Sequence, residues 1–259
     1  MNAVHPIRIL WATPRSTSTA FEWMMRMRGD MNCFHEPFGE AWYQGEDARA
    51  PRIHDNSPRK PGLSFASVQQ KLLDAARVRP VFSKDMPQFT DHLWSDGFLN
   101  QYLHSFLIRD PAKVLASLQR SWERKGDTEG FTRNEIGFDE QRRLFDTLFD
   151  KTGTIPVVVD SDDLLENPPG MVSAWCDAVG IPFIESALSW EPGRRTEVLW
   201  YEGDDSIWHE SLKNSDGLKP QPRRPANPDE LPPRLQDLYH NFLAHYRHLH
   251  GFRLRVSGS

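Results

Sequence analysis

Five short apolar runs punctuate the chain, at 7–12, 31–36, 81–84, 104–111 and 155–160, each of a length that suits a strand buried in a sheet. The run Ile155-Pro156-Val157-Val158-Val159 is β-branched at successive positions, as expected where a parallel sheet is covered on both faces. Between the runs, apolar residues recur at helical spacing: from Ala20 to about Gly29, over 64–78, from Pro111 to about Glu123, over 138–151, from the 161–168 segment to Gly180, and over 231–250. Phe89 to Tyr102 reads as a short helix and a turn. Strands that alternate with helices predict an α/β three-layer sandwich with a mainly parallel five-stranded sheet.

Three stretches carry no period and are rich in Pro, Gly and charge: 44–62, 125–137 and 191–228. They read as long loops of one domain spanning 1–259, and loops of that size in compact domains are commonly lids over a site. Trp200, Tyr201 and Trp208 lie in the last of them, suited either to closing over a ligand or to packing the loop on the body. There is no internal repeat.

Composition narrows the function. At 259 residues with a net charge of −5, the chain lacks the general basic character of a protein that grips long nucleic acid, so an anionic ligand needs locally gathered Arg and Lys. A mean hydropathy of −0.62 and no apolar run near spanning length predict no membrane span. The first six residues lack the charged start and apolar core of a signal peptide, and Cys33 and Cys176 form neither a disulfide framework nor a CxxC pair, which points to a reducing cytoplasm. His240, His245, His248 and His250 spread around the last helix without an acidic partner at ligand spacing, so no metal site is expected.

The chemistry concentrates where strands end. After Ile7–Ala12 the chain passes through Thr13, Pro14, Arg15, Ser16, Thr17, Ser18 and Thr19 into a helix. Backbone N–H groups and the positive end of the helix face whatever sits above the strand, and one guanidinium and several hydroxyls surround the same point. A phosphate or sulfate group fits there, although an ordinary turn with Ser16 or Ser18 capping the helix also fits. The loop is not Gly-x4-Gly-Lys-Ser/Thr, which disfavours a metal-nucleotide phosphoryl transferase.

Glu36 precedes Pro37 at a strand's carboxyl end, where open α/β sheets bind ligands, and alternation along the strand sends His35 to the opposite face. Val81 to Lys84 delivers Lys84 to the same edge. Arg109-Asp110-Pro111 opens a helix, with Asp110 suited to its cap and Pro111 to its first position, and Ser117 follows two turns on. An arginine fork with a hydroxyl beside it is a sound phosphate site.

Pro14-Arg15-Ser16-Thr17-Ser18-Thr19 resembles the 5′-phosphosulfate loop of sulfotransferases that use 3′-phosphoadenosine 5′-phosphosulfate (PAPS), and Arg109 with Ser117 resembles their 3′-phosphate motif. The resemblance covers roughly 7–180 and implies a P-loop NTPase-like fold, PAPS as co-substrate without a metal, and a small-molecule acceptor sulfated on a hydroxyl or amine. It implies Glu36 as general base, with Arg15 and Lys84 supplying charge near the leaving phosphate.

Some positions depart from the family pattern. Thr17 stands where many members carry glycine, and threonine resists the left-handed backbone, so the loop is expected to differ there. Met86 stands at the distance of a catalytic histidine, which shifts weight onto Glu36. Ser161 replaces a tyrosine that touches adenine in relatives, and Lys213 and Gly217 are the nearest candidates for the family's late basic segment. The alternatives are a P-loop nucleotide kinase-like phosphotransferase and a nucleotide-binding relative without catalysis. Neither the acceptor nor the oligomeric state is legible in the sequence.

Overall fold

A computed structural model describes residues 4–50, 59–126, 131–193, 198, 210–223 and 225–256. Five parallel strands, β1 (Ile7–Ala12), β2 (Asn32–His35), β3 (Val81–Asp85), β4 (Tyr102–Ile108) and β5 (Val157–Asp160), form one sheet in the order β2-β3-β1-β4-β5. The described helices are α1 (Ser18–Met27), α2 (Pro37–Gln44), α3 (Phe65–Ala76), α4 (Asp96–Leu99), α5 (Pro111–Lys125), α6 (Arg133–Ile136), α7 (Phe138–Thr152), α8 (Ser161–Glu166), α9 (Pro168–Ala178), α10 (Glu210–Lys213) and α11 (Pro233–Gly251).

Strand alternation divides β1 between two cores. Ile7, Ile9 and Trp11 pack with α2, α3 and α7, whereas Leu10 and Ala12 pack with α1 and α9 on the other face. Each large apolar side chain buried this way contributes roughly 2 kcal/mol before the entropy of ordering is subtracted. The sheet is therefore the middle of three layers, as the alternation of strands and helices predicts. α5 and α11 close a third cluster around Trp122, Phe138 and Phe242.

Polar groups pin the layers. Trp11 Nε1 donates to His104 Nδ1 at 2.9 Å, which leaves the hydrogen on His104 Nε2, 2.9 Å from the Leu99 carbonyl. Burial pushes the His104 imidazole down to about 4, so it stays neutral. Gln141 on α7 donates to the carbonyls of Trp11 and Leu107, at 3.3 and 3.1 Å, tying that helix to the ends of β1 and β4.

Several boundaries differ from the sequence reading. The first helix begins at Ser18 rather than Ala20, and the second strand ends at His35 because Glu36 has φ 42° and ψ 50°. An unpredicted helix, α2, follows at once, its first position held by Pro37. β5 starts at Val157, after Pro156, whose nitrogen has no hydrogen for the ladder. Short helices occupy parts of two expected loops, α6 at Arg133–Ile136 and α10 at Glu210–Lys213. Trp200, Tyr201 and Trp208 lie outside the described residues.

His245 and His248 pair with Asp139 and Asp146 of α7, at 2.9 and 3.1 Å, and so serve helix packing. No described helix is long and apolar enough to cross a membrane.

Candidate active site

The carboxyl ends of all five strands meet along one edge. Lys84 is level with His35 on one side and Leu10 on the other, Ala12 is level with Leu107, and Ile108 with Asp160. Read across the sheet, the edge therefore carries Glu36, Lys84, the loop after β1, Arg109 and Ser161.

The loop after β1 is sharply folded. Arg15 has φ 61° and Thr17 has φ 72°, so two residues with side chains hold the left-handed conformation within three positions. Thr17 thus adopts the backbone expected of a glycine, a correction to the reading that threonine makes the loop differ. Such a conformation costs about 1–2 kcal/mol per residue. Ser16 Oγ donates to the Thr13 carbonyl at 2.6 Å, and Thr17 Oγ1 lies 2.7 Å from Ser161 Oγ, so two hydroxyls brace the turn. Neither Ser16 nor Ser18 caps α1. Its cap position is Thr17, with no side-chain bond to the first-turn N–H groups. The start of this helix keeps its partial positive charge directed at the sheet edge.

Arginines gather beside it. Arg15 Nε donates to Ser117 Oγ at 2.9 Å, and Arg109 Nη1 donates to the Arg15 carbonyl at 2.7 Å. The two motifs read separately in the sequence are thereby one hydrogen-bonded unit. Burial, followed by the nearby charges of Arg109, Arg124 and Arg120, lowers Arg15 to about 10. Arg109 Nε is buried with no hydrogen-bond partner. Mutually opposed guanidinium groups and an orphaned buried donor are what an anion relieves.

Arg109 also borders a cavity of about 550 Å³ between α5 and the 221–232 segment, lined with Lys113, Arg120, Asp162 and Arg223 among others. Lys113 pairs with Asp162 at 2.5 Å, and Arg223 with Asp163 and Glu166. Lys213 and Gly217 do not line this cavity. Gly217 instead forms a bridge with Ser189, and a Cβ there would lie 2.5 Å from the Leu188 carbonyl oxygen. Backbone packing accounts for the glycine, and Arg223 is a late basic residue among the described ones that line the cavity. Ser161 is fully buried and bonds to Thr17, so at the cleft it serves the loop.

At the other end of the edge, Glu36 N–H donates to the Lys84 carbonyl at 2.8 Å, continuing the β2–β3 ladder by one bond before the chain turns. The Lys84 ammonium, buried to 1% exposure, forms an ion pair with Glu36 Oε1. Asp85 receives the N–H groups of Phe38 and Met86 at 2.8 and 2.9 Å, which fixes the start of α2 against the end of β3. Burial raises the Asp85 carboxyl well above the usual range.

His35 does not point away, as strict alternation predicts. Because residue 36 leaves the extended conformation, His35 Nε2 comes within 4.0 Å of Glu36 Oε1. Its Nδ1 lies 2.6 Å from Glu22 Oε2, and Glu22 Oε1 is held by Arg26 Nε and Nη2 at 2.8 and 2.7 Å. Burial alone raises the Glu22 carboxyl, but His35, Arg26 and Lys84 outweigh it and hold it at about 2. An ionised Glu22 can only accept, so His35 Nδ1 carries a hydrogen, and in a ring with one hydrogen Nε2 is the acceptor. Glu22 is silent in sequence, since a Glu-Arg pair four residues apart is what an exposed helix face also carries.

The model of the family described as "Sulfotransferase domain" matches residues 7–247. Branched-chain-amino-acid aminotransferase-like protein 2 of Arabidopsis thaliana is 25% identical over 221 residues, covering 83% of this chain and 36% of that protein. Sulfotransferase ppzF of Metarhizium majus is 23% identical over 189 residues, covering 62% of this chain and 55% of its own. The chain thus spans only about a third to a half of these relatives' lengths. Among solved structures, the sulfotransferase domain from the curacin biosynthetic pathway superposes with a TM-score of 0.51 at 14% identity, over 94% of this chain and 99% of that one. Mouse sulfotransferase SULT7A1 complexed with PAP gives 0.55 at 10% identity, over 96% and 90%. Both share the fold.

Proposed function

The chain belongs to the sulfotransferase domain family, and from that premise we propose that it transfers the sulfuryl group of PAPS to a hydroxyl or amine of a small-molecule acceptor. The observation that carries this reading is the bond from Arg109 to the Arg15 carbonyl together with that from Arg15 to Ser117. It joins a turn suited to one anion to an arginine fork suited to a second, the spacing problem posed by an adenosine phosphorylated at both the 3′ and 5′ positions. A neighbouring fold that is complexed with PAP is consistent with it.

The residues fit such a donor. The orphaned Arg109 Nε and the Ser117 hydroxyl suit the 3′-phosphate, while Arg15 and the N–H groups of 16–19 suit the 5′-phosphosulfate. The donor supplies an activated sulfuryl group whose transfer needs alignment and cationic neutralisation more than covalent catalysis. Lys84 and Arg15 provide cations on either side of the transfer point. Glu36, held by Lys84, accepts the acceptor's proton, a role typically worth about 10² to 10⁴ in rate.

The test uses the whole chain, metal-free. Stabilisation by 3′,5′-diphosphoadenosine without Mg²⁺, with release of sulfate from PAPS, is expected. Glu36→Gln should keep the stabilisation and lose most turnover. Stabilisation by Mg-ATP alone would transfer the reading to a nucleotide kinase, and diphosphoadenosine binding without sulfate release would leave a nucleotide-binding protein.

A further inference from the structure

Arg26, Glu22, His35, Glu36 and Lys84 form a series of buried or nearly buried ionisable groups, each within 4.0 Å of the next, reaching from α1 to the end of β3. A second carboxylate and an imidazole standing behind the candidate base are more than packing requires. We propose that His35, backed by Glu22, receives the acceptor's proton from Glu36, so that Glu36 is a relay and the His35–Glu22 pair is the final proton store of each turnover. This rests on the reading of the chain as a sulfotransferase with Glu36 as base.

Bond accounting is direct. The acceptor's O–H (or N–H) bond breaks as its oxygen or nitrogen bonds to sulfur. The S–O bond to the donor's 5′-phosphate breaks, and the leaving phosphate keeps that electron pair. The proton passes to the Glu36 carboxylate and from it to His35 Nε2, while the Nδ1 hydrogen stays on the ring, donated to the Glu22 carboxylate.

Charge pairing explains the direction. A proton that remained on Glu36 would leave Lys84 a buried ammonium facing a neutral acid, and breaking a buried pair from one side is strongly unfavourable. Passing it to His35 restores the Glu36 carboxylate for Lys84 and creates an imidazolium 2.6 Å from the Glu22 carboxylate. Glu22, held low by His35, Arg26 and Lys84, is ionised and can serve that imidazolium. Among the described residues, titratable or charged groups near the pair besides Lys84 include Arg26 on α1, Cys33 on β2 and Asp85 at the end of β3. Burial pushes the Cys33 thiol up to about 12, so it stays protonated, and Asp85, also raised by burial, accepts the N–H groups of Phe38 and Met86. The 4.0 Å between Nε2 and Glu36 Oε1 is one side-chain adjustment from hydrogen-bond length.

The experiment follows the His35 ring by ¹⁵N NMR in the whole chain with 3′,5′-diphosphoadenosine bound, and measures sulfate release from PAPS with water as acceptor. A ring with one hydrogen should carry it on Nδ1, and in Glu22→Gln the Nδ1 resonance should shift as that hydrogen loses its charged acceptor. His35→Gln should lower sulfate release about 100-fold, with diphosphoadenosine affinity within about twofold of wild type.

In His35→Gln the acidic side of the wild-type pH–rate profile should change shape, while the limb at carboxylate pH stays. A neutral ring with its hydrogen on Nε2, or unchanged rate and pH profile in both variants, overturns the relay while Glu36→Gln still tests the base. A wild-type chain that neither binds diphosphoadenosine nor releases sulfate overturns the sulfotransferase reading itself, and the relay with it.

Discussion

Thr17 and Ser161, 144 positions apart, share a hydrogen bond of 2.7 Å between their hydroxyls, the first at the left-handed cap of α1 and the second at the start of α8. Two departures from the sulfotransferase pattern thus meet at one point. The bond offsets part of the strain of a β-branched residue at φ 72°.

Ser161→Ala is accordingly expected to destabilise the protein by about 1 kcal/mol in urea unfolding. Thr17→Gly removes both the strain and the partner, so Ser161→Ala should cost nothing further in that background. A double-mutant cycle with no coupling would show the contact to be idle.

Arg109→Lys keeps the charge but cannot donate to the Arg15 carbonyl and present a second, parallel donor to a phosphate at once. Calorimetry should show affinity for 3′,5′-diphosphoadenosine falling about 30-fold or more. Ser117→Ala leaves Arg15 Nε without its acceptor and should cost less, about five- to tenfold. Wild-type affinity in both would detach this cluster from the nucleotide.

Lys84→Met should strand the Glu36 carboxylate in a buried site and lower unfolding stability by about 3–5 kcal/mol. Adding Glu36→Gln to that variant neutralises the stranded group. The double variant should be the more stable of the two, and the reverse order would mean that water already screens the pair.

Asp160 gives a pH dependence. Burial raises its carboxyl from 3.8 to about 6, even though it caps α8 by accepting from the N–H groups of Asp162 and Asp163. A raised folded-state value means stability that is fully present below about pH 4 and lost as pH climbs through about 6, a contribution of roughly 3 kcal/mol. Asn can cap equally well and cannot ionise. The melting temperature of Asp160→Asn relative to wild type should therefore rise between pH 4 and pH 8, and a constant difference would contradict it.

Much of this was visible in the sequence because apolar runs and strand-end motifs are local. Ile7–Ala12, the loop behind it and Arg109 with Ser117 follow from short windows, and the structure brings them together. What escaped depends on single backbone torsions and on long-range packing. The positive φ of Glu36 begins α2 and swings the Glu36 side chain to the same side as His35, which two-residue alternation forbids only while the chain stays extended. The bridge of Gly217 to Ser189, 28 residues away, was not legible either, and neither was the place of Arg223 at the cavity, since it sits in a proline-rich stretch with no motif.

The two ends of the strand edge are fastened by separate sets of bonds, Glu36 and Lys84 on β2 and β3, Arg15, Ser117 and Arg109 on β1, α5 and the end of β4. Silencing one need not loosen the other. On the proposed reading, a chain crippled at Glu36 would become a decoy that soaks up PAPS and discharges it only slowly, so the damaged protein would compete with its intact copies for donor instead of merely idling beside them.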